Sequence, residues 1–306
     1  MQTVLLTHPD CVRHEMGAGH PESPQRLKAI LAAIEAAGLA GALDKREAPE
    51  ATREQIERVH GHEQVDFIFD SAPASGYAFL DPDTSMNPSS LSAALRAAGA
   101  LVKAADLVLT GEAKRAFCAV RPPGHHATRH RPMGFCIFNN VAIGAAHALA
   151  AHGLERVAIL DFDVHHGNGT EDAFHDDPRV MLCSTFQHPY YPYSGADSGN
   201  DHIINVPLPA MTDGSGFRAA VEERWIPALD AFRPQLVMVS AGFDAHRDDP
   251  LAYLKLDDED YRWVTERLVD VAERHADGRV VSTLEGGYNT EALGRCAVEH
   301  LRVLMG

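Results

Sequence analysis

The sequence predicts an α/β protein built on a central, mostly parallel sheet of about eight strands with helices on both faces. Three observations carry that expectation. Seven short β-rich runs recur, and several are apolar at consecutive positions, as strands buried on both faces of a parallel sheet are. Helical patterns lie between many of them, and strand–helix alternation is the mark of a parallel, helix-covered sheet. Loops rich in Pro, Gly and polar residues (69–88, 121–132, 187–201 and 243–250) are interspersed through this pattern and do not divide it. With 306 residues, 45% of them hydrophobic and 23% charged, the chain can bury one large core, so residues 1–306 read as a single domain.

In chain order, TVLL (3–6) is the first strand and SLSAALRAAGALVKAADLVL (90–109) the first long helix. AFCAV (116–120) is followed by a helix over 141–151, and RVAIL (156–160) by RVMLCST (179–185) and IINVPL (203–208). A helix over 216–232 precedes LVMVSA (236–241), and a helix over 257–276 precedes RVVSTL (279–284). A last helix covers 290–304.

Charge and composition narrow the function classes. The formal net charge of −16 argues against DNA or RNA as a direct partner. The N-terminal stretch has no basic n-region or long apolar h-region, and no window approaches the roughly 18 uninterrupted apolar residues of a membrane helix. Cys11, Cys118, Cys136, Cys183 and Cys296 are scattered and form no CxxC pair, so they read as reduced thiols. The expectation is a cytoplasmic protein with no membrane partner.

The unusual residues follow the strands. RPPGHHA comes after AFCAV, DFDVHHGNGT after VAIL, SAGFDAHRDDP after LVMV and EGGYN after VVSTL. In a parallel α/β sheet the C-terminal strand ends lie along one edge, where ligand crevices form. Asp161, Asp163 and His165 are spaced i, i+2, i+4 and project on one face of an extended segment. An Asp and a His two apart can grip one cation, and zinc accepts such mixed donors, keeping three protein ligands and an open position in a catalytic site. Asp244 is the best candidate for the third ligand. His125 and His126 need a loop to converge, which Pro122, Pro123 and Gly124 supply, and a neutral imidazole there can serve as general base and then acid. Tyr288 follows two glycines and could donate a hydrogen bond to a developing oxyanion. Each motif also has a bland reading, as strand-end hydrogen-bonding groups, exposed loop histidines or a turn tyrosine. His8, His62, His152, His275 and His300 have no context to recommend them.

Together these motifs resemble the zinc-dependent deacetylases of the arginase–deacetylase superfamily, specifically class II-type histone deacetylases and bacterial histone deacetylase-like amidohydrolases. The resemblance runs through GHPESPQRL (19–27), DPDTSMNPSS (81–90), RPPGHHA (121–127), GFCIFNN (134–140), DFDVHHGNGT (161–170), SAGFDAHRDDPL (240–251) and EGGY (285–288). It implies the arginase–deacetylase fold and removal of acetyl or similar acyl groups from lysine side chains or related amides. It also implies one Zn2+ per chain on Asp163, His165 and Asp244. By the same resemblance, His126 is the general base, and His125 is its electrostatic partner, held by Asp161. Tyr288 polarises the acyl carbonyl. The Gly134 backbone accepts a hydrogen bond from the substrate amide, and Phe135 forms one wall of an acyl-lysine channel. Tyr191 is the choice for the opposite wall, with Tyr190 or Tyr193 as alternatives. The resemblance further implies one or two structural K+ ions. The first would use Asp161, the backbone of Asp163 and His165, and Ser184; the second would use carbonyls near Phe174 and Val180. Relatives often form dimers or tetramers, so a homo-oligomer is open, as is iron in place of zinc.

Two positions depart from other branches. Asn168 stands where class I enzymes have Asp, which makes the partner of His126 neutral. Leu251 follows DDP where polyamine-selective relatives can place an acidic gatekeeper, which favours an acylated lysine peptide or a small acyl amide. An acetylpolyamine amidohydrolase remains the alternative. A binuclear arginase-type site would need carboxylates at 167 and 246, where this chain has Gly167 and His246. A catalytically silent acyl-lysine reader would lack the tyrosine or a ligand, and none is missing.

Overall fold

Ten strands form in the computed structural model, which describes residues 2–306. They are β1 (Val4–Thr7), β2 (Asp44–Glu47), β3 (Ala78–Asp81), β4 (Thr84–Met86), β5 (Arg115–Cys118), β6 (Val157–Asp161), β7 (Val180–Gln187), β8 (Ile203–Leu208), β9 (Leu236–Ala241) and β10 (Val280–Leu284). Eight make one sheet in the order β2-β1-β5-β10-β9-β6-β7-β8, and every neighbouring pair is parallel. Every residue of β5, β6, β7, β9 and β10 is buried, because helices surround the sheet. That double burial explains why these runs are apolar without alternation. β3 and β4 form a separate antiparallel hairpin.

Helices Ser90–Leu109, Asn140–His152, Asp258–His275 and Thr290–Met305 fall within two residues of the expected spans. The helix expected over 216–232 is instead Gly214–Ala220, a π turn at Val221–Trp225, and Ile226–Phe232. Pro227 is the cause: it has no N–H to give the carbonyl four residues back. The Ile226 amide accordingly bonds Val221 O, five residues back. β2 carries no hydrophobic signal because DKRE sits on the sheet edge, alternating partly buried and exposed positions, and charge on an edge strand discourages further pairing. All five cysteines are buried and unpaired.

Two buried histidines make the fold acid-sensitive. His60 donates Nδ1–H to Thr128 O and accepts the Asn139 amide on Nε2, so it is held neutral. His300 lies between Thr265 Oγ1 and Ser282 Oγ, at 2.7 and 2.8 Å. Burial lowers His60 to about 4 and His300 to about 3. Below pH 6.5 the unfolded chain protonates these rings while the folded chain does not. Stability therefore falls as pH drops from 6.5 towards those values, by about 2 kcal/mol per histidine between pH 7 and pH 5. Urea unfolding at the two pH values checks this: His300→Gln should shrink the difference by about that amount, and an unchanged difference would contradict it.

Candidate active site

The strands that carry the unusual motifs, β5, β10, β9 and β6, are four consecutive neighbours in the sheet. Their C-terminal ends deliver 121–126, 285–288, 242–249 and 161–168 to one place.

After β6 the backbone turns on its own carboxylates. The Asp163 amide bonds Asp161 Oδ1 at 3.1 Å, and the His165 amide bonds Asp163 Oδ1 at 2.9 Å. The Val164 amide reaches across to Asp244 Oδ1 (2.9 Å), and Gly286 N reaches Asp163 Oδ2 (2.8 Å). Position 286 must be glycine, because a Cβ there would collide with both the Asp244 and Asp163 carboxylates. His165 Nδ1 thus lies 3.0 Å from Asp163 Oδ1 and 3.3 Å from Asp244 Oδ2. Burial opposes a charge on this imidazole, yet the hydrogen bond to Asp163 and the negative charges of Asp163 and Asp244 raise it to about 10. Asp244 Oδ2 is buried with no hydrogen-bond partner. Two carboxylates and an imidazole with one unsatisfied oxygen fit a divalent cation, whose charge offsets the burial of theirs.

Two other groups bring three donor residues within reach of one another: Asp106–His147–His152 and His246–Asp258–Cys296. Their polar atoms are already engaged with one another and with neighbours, whereas Asp244 Oδ2 in the first group is not. Arg58 donates to His147 Nδ1 at 2.9 Å, so Nε2 carries the proton and gives it to Asp106. The Asp248 amide likewise donates to His246 Nδ1, and Arg295 occupies the other oxygen of Asp258. In both clusters the carboxylate oxygen facing the imidazoles is thus taken up by hydrogen bonds from them.

His125 and His126 sit side by side with ring centroids 4.0 Å apart. His125 Nδ1 bonds Asp161 Oδ2 at 2.9 Å, and His126 Nδ1 bonds Asn168 Oδ1 at 2.7 Å. Because the Asn168 amide nitrogen donates to His126 O, its carbonyl faces the ring and fixes the proton on Nδ1, leaving His126 Nε2 as a free base. The two rings titrate in opposite directions. Burial disfavours charge on both, but Asp163 and Asp161 outweigh it for His125, which is raised well above the usual histidine range. Burial, reinforced by His125 and His165, pushes His126 well below that range. Burial also raises Tyr288 well above its ordinary value, against the pull of Arg26, so its hydroxyl stays a donor.

His126, His165 and Tyr288 line a cleft of about 260 Å³. Its walls include Gly134, Phe135 and Leu251, and all three candidate tyrosines, Tyr190, Tyr191 and Tyr193. Tyr191 stands edge-on to both His126 and His165, with centroids 5.2 and 6.0 Å away, whereas Tyr190 stacks on His165 and donates its hydroxyl to Leu251 O. Tyr193 is 76% exposed and belongs to the rim. Gly134 adopts φ +58, and a Cβ there would run into the His126 ring. Asp83 and Thr84 hold this turn, accepting the Gly134 and Phe135 amides at 3.0 Å each.

Ser184, paired in register with Asp161, is buried with an unpartnered Oγ beside the site. The Phe174 carbonyl, by contrast, already accepts the Asp177 amide and His202 Nε2, which uses both lone pairs expected for the second K+. His166, the neighbour of His165, is spent on Ser194 and Glu171.

Sequence reasoning passed over several supporting groups. Glu285, fully buried, accepts the Gly124 and His125 amides and the Ser240 hydroxyl. Burial raises its carboxyl to about 7, as burial and Asp244 do for Asp249. Arg26, also buried, stacks 4.9 Å over the Tyr288 ring and bonds the carbonyls of Gly287 and Glu285. The glutamate of EGGY and the arginine of PESPQRL lie inside the motifs, but nothing in their spacing reveals these contacts.

Comparison with known proteins bears on the family and the fold. A family model described as the histone deacetylase domain matches residues 20–304. Over 302 residues the chain is 39% identical to a histone deacetylase-like amidohydrolase of Pseudomonas aeruginosa, covering 96% of this chain and 79% of that one. It is 41% identical over 310 residues to a probable deacetylase of Methanothermobacter thermautotrophicus, covering 97% and 88%. The crystal structure of the HDA15 HD domain superposes with a TM-score of 0.93 at 35% identity, covering all of this chain and 88% of that one.

Proposed function

The chain belongs to the histone deacetylase family, whose members act as deacetylases or amidohydrolases, and we propose that it removes acetyl or similar acyl groups from lysine side chains or related amides. The observation that carries this reading is the juxtaposition of a neutral histidine, a protonated tyrosine and a cation-attracting triad in one aromatic cleft. Zinc is the proposed metal, held by Asp163, His165 and Asp244, and when bound it polarises the acyl carbonyl and acidifies water. His126 Nε2 takes a proton from the attacking water, while Asn168 steadies the ring through Nδ1. Tyr288 donates a hydrogen bond to the carbonyl oxygen as negative charge develops there. As the C–N bond breaks, the proton passes to the leaving amine from His126 or His125, releasing acetate and free amine. His125, paired with Asp161, keeps positive charge beside the reacting group. A K+ ion at Asp161, the backbone of Asp163 and His165, and Ser184 completes the proposal, supported by the unpartnered Ser184 Oγ.

Phe135 and Tyr191 give the substrate stem two aromatic walls, and Leu251 presents carbon where an acidic gatekeeper would greet an ammonium. These residues favour acyl-lysine. Asp83 also lines the cleft and is the observation behind a second reading, an acetylpolyamine amidohydrolase. The test is a side-by-side kcat/KM comparison of acetyl-lysine peptides, trifluoroacetyl-lysine and acetylated putrescine or spermidine. Preference for the lysine substrates is expected; preference for the polyamines would overturn the substrate assignment and leave the chemistry standing.

A further inference from the structure

Asp249 is a buried carboxylate, 7% exposed, in the loop that follows β9. It spends its oxygens on backbone amides from two different segments. Oδ2 accepts the Tyr288 amide at 2.7 Å and the Asn289 amide at 3.3 Å, while Oδ1 accepts the Leu251 amide at 2.9 Å. The Leu251 carbonyl in turn accepts the Tyr190 hydroxyl at 2.7 Å, and the Tyr190 ring stacks on His165. A continuous tether therefore runs across the cleft from Tyr190 through Leu251 and Asp249 to Tyr288. The Tyr288 side chain has looser holds of its own, the edge of Phe135 at 5.9 Å between centroids and the Arg26 guanidinium at 4.9 Å.

We infer that Asp249 is a positioning residue for the reaction, fastening the backbone of Tyr288 to the wall of the acyl channel so that its hydroxyl meets the substrate carbonyl. The inference rests on the proposed role of Tyr288. Burying a carboxylate costs stability unless its hydrogen bonds are made, and here they join the channel wall to the tyrosine turn. A purely structural alternative exists on the same atoms, since Asn289 caps the helix Thr290–Met305. The two accounts differ in whether Asp249 acts through the Tyr288 hydroxyl.

A double-mutant cycle separates them. Asp249→Asn turns an amide NH2 against amide donors and should lower kcat by about 10- to 100-fold, the cost of a small misplacement of a reacting group. KM should stay within about threefold, and zinc content should be unchanged. In a Tyr288→Phe background the same substitution should lower kcat by less than about twofold, because the hydroxyl it positions is already gone. Asp249→Glu, which keeps the carboxylate, should recover part of the rate, and it carries the same cycle if Asp249→Asn yields no folded protein. Unchanged kcat in Asp249→Asn, or losses that multiply in the double variant, would overturn the inference. Near-normal kcat in Tyr288→Phe alone would instead overturn the role of Tyr288, and this inference with it.

Discussion

Tyr288→Phe is expected to lower kcat by about 10²- to 10³-fold, the usual cost of losing one oxyanion donor. The substitution removes a hydroxyl and little else. The ring keeps its place under the Arg26 guanidinium and against Phe135, and the backbone amide keeps its bond to Asp249. KM, fold and metal content should therefore change little. Because burial keeps the phenol protonated, the loss should be similar across the working pH range. Steady-state deacetylation of an acetyl-lysine peptide, paired with elemental analysis, checks this. Near-normal turnover would show that the charge on the acyl oxygen is stabilised by other groups.

Asp244→Ala is expected to have a larger effect, reducing turnover to background and abolishing stoichiometric metal binding. Asp244 contributes the oxygen that has no hydrogen-bond partner, and its other oxygen accepts the Val164 amide between the two remaining ligands. The substitution thus removes one donor and loosens the turn that presents Asp163 and His165. Two protein donors fall short of the three that catalytic zinc sites retain. A retained circular dichroism spectrum with lost zinc would match this account; a variant that keeps zinc and turnover would remove Asp244 from the site.

Much of this was legible in the sequence because the chemistry sits at strand ends. Runs buried on both faces of a parallel sheet announce themselves by composition, and the polar residues that follow them share one edge. The sheet order adds what composition cannot give: β5, β10, β9 and β6 are adjacent although they are scattered along the chain. β2 was illegible because an edge strand buries little, and the helix around 221–225 broke because Pro227 overrode a sound apolar period. Pro24–Ala36 bears a helix signature, Ser23 before Pro24 and buried Leu27, Ile30 and Ile34, although no helix is expected there from the sequence. Glu285, Asp249 and Arg26 stayed hidden for another reason. Their partners are backbone groups distant in sequence, such as Gly124 for Glu285 and Tyr288 for Asp249, and no local pattern encodes such pairings.

The central claim is that Asp163, His165 and Asp244 hold one metal ion on which deacetylation depends. It is tested most directly by stripping the protein with a chelator and titrating zinc back, with acetate release from an acetyl-lysine peptide as the readout and Asp244→Ala alongside. Activity should return in proportion to zinc and level off at one equivalent per chain, while Asp244→Ala stays silent throughout. Full acetate release by the metal-free protein, or wild-type zinc uptake by Asp244→Ala, would contradict it.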